Sequence, residues 1–80
     1  HMSPTVFRER GYRFYFFSRE ESRKHVHVHS PDADAKFWLE PEIGLAKNYG
    51  LSDAQLAKIR EIVEDHFDEL TSAWNSFFES

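Results

Sequence analysis

From His25 to Ser30 the chain reads His-Val-His-Val-His-Ser, a strict alternation with a period of two. Successive side chains of a β-strand point to opposite faces, so this order sends Val26 and Val28 to one side and three imidazoles to the other. A helix would scatter both sets around its axis. The segment is therefore a half-buried strand, and the sheet that holds it must have one apolar and one polar face.

The neighbouring segments supply that sheet. Thr5 to Glu9 reads as a strand, Arg10-Gly11 as a turn, and Tyr12 to Phe17 as a second strand rich in aromatic residues. Ser18 to Lys24 is polar and reads as a loop. After His25–Ser30, Pro31 to Asp34 supplies turn chemistry and Ala35 to Glu40 a fourth strand. Pro41 suits the first turn of a short helix that Asn48-Tyr49-Gly50 would end. Ser52 and Gln55 have capping-box spacing, and Leu56, Ile59, Val63, Phe67, Leu70, Trp74 and Phe77 then step by three and four. The expected fold is α+β: a four-stranded antiparallel meander, a short helix and a long C-terminal helix on one sheet face (ββββαα). One domain is expected over residues 2–80, with the sheet in 2–40 and the helical part in 41–80. His1, ahead of Met2, reads as the remnant of a cleaved tag.

The last helix poses a length problem. About 25 residues at 1.5 Å each span nearly 40 Å, more than a strand of roughly 20 Å can cover. Trp74, Phe77 and Phe78 would overhang, and either a partner or second copy covers them or the helix folds back.

Thirteen aromatic residues and no cysteine imply a small core held by rings rather than disulfides, as suits a reducing compartment. No apolar run approaches the ~18 residues of a membrane span, so a cytoplasmic location without membrane contact is expected. Net charge is −4, yet residues 2–30 carry six Arg/Lys against three Glu, while residues 31–80 carry four against eleven acids. The overall sign disfavours bulk nucleic-acid binding, and the asymmetry leaves room for a local basic face.

Alternation assigns Phe7, Tyr12, Phe14, Phe16, Val26, Val28, Phe37 and Leu39 to the core. The other face receives Arg8, Arg13, Tyr15, Phe17, His25, His27, His29, Lys36 and Trp38. Several uses of it compete with plain solvation. A protein partner could dock there through Arg13, Tyr15, His27, Lys36 and Trp38, with Trp74 and Phe77 at the helix end as a second contact. Unpaired bases could stack on Tyr15 and Trp38 while Arg and Lys follow the phosphates. His25 or His27 could serve as general base or acid with Arg8 or Arg13 holding a phosphate, the residue set of a metal-free ribonuclease. Neighbouring imidazoles with Asp32 or Asp34 could share a metal, but three or four ligands must converge, and neither metal nor other cofactor is expected. Leu45 to Ser52 with Leu56 and Ile59 also fits a helix-turn-helix, with Asp53, Gln55 and Lys58 at the start of its second helix. Glu61, Glu64, Asp65, Asp68 and Glu69 would repel phosphates there.

The segments Ser3–Phe7, Gly11–Ser18, His25–Val28, Ala35–Pro41 and Gly50–Ser52 resemble a bacterial family known only as domain of unknown function 4160 (DUF4160). The likeness covers nearly the whole chain, with departures in the loop Ser18–Lys24 and at His29. It implies a short protein encoded beside a second small protein, an arrangement like a toxin-antitoxin module, and supplies no catalytic residues. A non-enzymatic interaction protein is the leading expectation; a ribonuclease-like toxin or RNA-binding domain and a DNA-binding regulator are the alternatives.

Overall fold

Val26 and Val28 lie on the central strand of a five-stranded antiparallel sheet whose strands follow chain order. In the computed structural model, which describes residues 4–17 and 22–79, these are β1 (Thr5–Glu9), β2 (Tyr12–Tyr15), β3 (His25–Ser30), β4 (Ala33–Trp38) and β5 (Gly44–Tyr49). Helices α1 (Asp53–Asp65) and α2 (Phe67–Glu79) follow. His1, Met2 and most of the loop expected at Ser18–Lys24 lie outside the described residues. Among the described residues, no helix is long and apolar enough to cross a membrane.

The first and third strands have the expected bounds, while the second stops at Tyr15, two residues before the expected Phe17. Arg10 and Gly11 both have positive φ, 54° and 81°, as a two-residue hairpin turn matched to the sheet's twist requires. Pro31 and Asp32 alone turn β3 into β4, so β4 starts at Ala33 rather than Ala35. On one face, Phe7, Phe14, Val28 and Ala35 line up across β1 to β4, and Val26 lies opposite Phe37. Phe14, Phe16, Val26, Val28, Phe37 and Leu39 are buried against Ile59, Ile62 and Val63 of α1 and Leu70 and Trp74 of α2. Phe7 and Tyr12 are half-buried at the margin of this cluster.

β5 corrects the expected short helix, so the sheet runs on to Tyr49 rather than ending at residue 40. Leu45-Ala46-Lys47 favours helix locally, but a segment this short gains little from helical bonds alone. Pairing with β4 from Asp34↔Tyr49 to Trp38↔Gly44 instead gives its backbone a ladder, with an irregularity between Lys36 and Phe37. Pro41, expected inside a helix, follows a cis peptide bond in the bend before β5. The Asn48-Tyr49-Gly50 signal is a strand-to-helix turn: the Asn48 side chain donates to Leu51 O and accepts from Leu51 N, both at 3.0 Å, and Gly50 has φ +94°. The segment that fits a helix-turn-helix thus lacks its first helix, whose residues form β5 instead.

The capping box is as expected. Ser52 Oγ accepts from Gln55 N at 3.1 Å, and Gln55 Oε1 accepts from Ser52 N at 2.9 Å. The single long helix is not: it breaks at His66 (φ −105°, ψ 17°) into two helices of 13 residues. Each is about 20 Å long, matching a strand, so the expected overhang does not arise. Trp74 is core, 3% exposed, with its ring 5.4 Å from Phe16, 5.1 Å from His25 and 4.2 Å from Phe78. Phe77 remains exposed and Phe78 is half-buried.

His66 ties this break to the sheet. Its Nε2 lies 2.8 Å from Glu9 Oε1 on β1, its Nδ1 2.8 Å from Glu69 Oε1 on α2, and its ring stacks on Phe7 at 4.1 Å. Carboxylates only accept, so both contacts are filled when the ring carries both protons. The hydrogen bond to Glu69 leads in raising its pKa above the usual 6.5; burial opposes the shift, and Glu9 adds to it. A raised histidine pKa contributes stability that is complete below about 6.5 and is lost as pH rises through the folded-state value. Urea midpoints of the wild type should therefore fall between pH 6 and 8.5, while those of His66→Gln stay nearly level. Parallel curves for the two proteins would rule out this linkage.

Candidate functional site

The sheet face turned away from the helices is ordered in rows by strand register. Thr5, Tyr15, His27, Lys36 and Lys47 lie side by side across all five strands. Arg8, Arg13, His29, Asp34 and Tyr49 form a second complete row, and His25, Trp38 and Gly44 a third across β3 to β5. Same-face rows are spaced about 6.5–7 Å apart along a strand.

This spacing separates His25, though not His27, from the arginines considered for ribonuclease-like chemistry. His27 lies one row from Arg8 and Arg13, and His25 two rows, roughly 13 Å, from them. His25 is also fully buried, with its ring between Trp74 of α2 and Trp38 of β4. Its Nδ1 lies 2.6 Å from Arg23 O, and since a carbonyl can only accept, Nδ1 carries the proton. Arg13 donates from Nε to Thr5 Oγ1 at 2.6 Å, and Arg8 is exposed. The residues considered for a metal are also apart: His29 Nδ1 pairs with Asp34 Oδ1 at 2.7 Å, and no group of three or more His, Asp or Glu among the described residues is placed to hold an ion.

Tyr15, Phe17, His27, Asp34, Lys36, Lys47 and Tyr49 instead line a broad open hollow of about 400 Å³, which neither His25 nor Arg13 enters. Lys36 and Lys47 are direct cross-strand neighbours, a like-charge pair in which Lys36 is buried, 6% exposed, and Lys47 is exposed. Tyr49 is 64% exposed, and Phe17 at the opposite rim is exposed as well. Lys47 and Tyr49 were not foreseen, because the segment carrying them reads as a helix.

The rings on this face are already engaged. The Arg13 guanidinium sits 4.3 Å from the Tyr15 centroid, and His27 stacks on the same ring at 5.3 Å. Arg23 and Lys36 approach the Trp38 ring at 4.0 and 4.7 Å. Arg23 is held further by Nε donating to Glu40 O at 2.8 Å. The π-surfaces that a nucleobase would need on Tyr15 and Trp38 are therefore taken up by the protein's own cations and imidazole. Those same contacts fix where the cations stand.

A helical layer on one face of an open antiparallel meander, with a cationic and aromatic opposite face, defines a two-layer α+β domain. The chain belongs to the family described as domain of unknown function (DUF4160), whose family model matches residues 11–75, from the β1–β2 turn into α2. No curated protein and no solved structure matches it.

Proposed function

We propose that this domain is a non-enzymatic protein-interaction module, one component of a toxin-antitoxin-like pair, and that it holds an acidic surface of its partner on the outer sheet face. The observation that carries this is the placement of Arg13 against Tyr15 and of Arg23 against Trp38. A long cationic side chain normally loses rotamer freedom when it forms an interfacial ion pair; one already laid on a ring has lost much of it beforehand. The face is thus preorganised for carboxylates, while the rings that could have stacked bases are covered.

The test is co-elution with the small protein that the family resemblance places beside it. The two should run as one complex on size exclusion at micromolar concentration. Lys47→Glu should weaken that complex by about tenfold or more, which is ~1.4 kcal/mol, and added salt should weaken the wild-type complex in the same direction. The melting temperature should not fall, because a glutamate opposite Lys36 replaces a like-charge pair by an opposite one. Separate elution of the wild-type proteins would end the proposal.

A further inference from the structure

The hollow opens onto β5, and β5 is an edge of the sheet. An edge strand presents unpaired backbone groups on its outer side, which a further strand can complete. Leu45, opposite Phe37 on the helix-side face, is 43% exposed, and Tyr49 on the outer face is 64% exposed, so β5 leaves one large side chain open on each face of the edge. A strand laid along β5 would bring alternate side chains onto the outer face beside Lys47 and Tyr49, the positions that also edge the hollow. Backbone pairing and charge would then be satisfied by one ligand.

Resting on the interaction reading above, we infer that the partner engages this domain by adding an extended, acidic segment as a sixth strand along β5. Charge selects the occupant. Gly44–Tyr49 carries Lys47 and no acid, so a second copy of β5 pairing with the first would bring in a second lysine beside Lys36 and Lys47. Lysine on an edge strand discourages pairing with neutral or basic strands. A segment with carboxylates at alternate positions turns the same residue into an attractive contact.

The experiment titrates the full isotope-labelled chain with an alternating Glu-Val peptide of about eight residues, enough to run the length of β5. Expected are chemical-shift changes and slowed hydrogen exchange at β5 amides, and affinity at least about tenfold lower when alternate peptide amides are N-methylated, which removes backbone donors but leaves charge and side chains unchanged. Equal binding of the methylated peptide would overturn strand addition while leaving the outer face as a charge-complementary docking surface. No binding of either peptide would overturn the inference, as would tighter binding of an oligouridylate of equal charge, or concentration-dependent self-association that protects β5 without peptide. The wider interaction reading stands or falls separately, on co-elution with the neighbouring protein.

Discussion

Trp74→Ala should destabilise the domain by about 3–5 kcal/mol, the cost of removing a large ring from a core that cannot collapse around the space. A chain of 80 residues has roughly 4–12 kcal/mol to lose, so the variant would be close to unfolding at room temperature. The size of the effect follows from position. Trp74 is the point where α2 meets the end of the sheet, with Phe16, His25 and Phe78 around it. Its removal also strips apolar cover from the buried imidazole of His25. Phe77→Ala, three residues on and exposed, should cost no more than about 0.5 kcal/mol. Urea unfolding followed by far-ultraviolet circular dichroism would compare them; similar small shifts for both would mean that α2 does not dock as described.

Gly50→Ala should cost about 2 kcal/mol through two separate causes. Its φ of +94° is one that a residue with a Cβ adopts at a penalty of about 1–2 kcal/mol. The added carbon would also stand 3.2 Å from Asp32 O and 3.3 Å from Ala33 Cβ, at the turn that begins β4. Gly11 separates these causes, because its φ is +81° but nothing lies within 4 Å of where an added methyl group would stand. Gly11→Ala should therefore cost only the backbone part, about 1 kcal/mol. Equal unfolding midpoints for the two variants would show that the approach of Gly50 to the β3–β4 turn adds nothing.

Much of the fold was legible because the signals were periodic. The His-Val alternation identified β3 with its exact boundaries, the aromatic strands declared their inward faces, and Ser52 with Gln55 marked the start of α1. Two places were not legible, for different reasons. Asn-Tyr-Gly ends a helix and turns a strand into a helix with equal ease, since both uses need a positive φ at the glycine, and Leu-Ala-Lys before it favours helix unless an open sheet edge competes. At His66 the apolar series runs through in phase from Val63 to Phe67 and Leu70, without glycine or proline, so nothing local announces the break. What accompanies it is long-range, a carboxylate on β1 and a phenyl ring beneath the imidazole.

The candidate site was readable to the same degree. Arg13, Tyr15, His27, Lys36 and Trp38 share the outer face, as alternation required. Lys47 and Tyr49 were hidden by the helical reading of β5. Trp74 went the other way, from a supposed contact surface into the core, once the helix proved to be two. That the rings of Tyr15 and Trp38 are covered by cations is a matter of rotamers, which no pattern in the chain specifies.

The central claim is that the partner is bound on the outer sheet face. Its most direct measurement is a chemical-shift map of the isotope-labelled domain titrated with the protein partner proposed for it. The account predicts that the perturbed residues cluster at Tyr15, His27, Lys36, Lys47 and Tyr49, with exposed positions of α1 such as Glu61 and Glu64 unmoved; a cluster on α1 and α2 with a silent sheet face would contradict it.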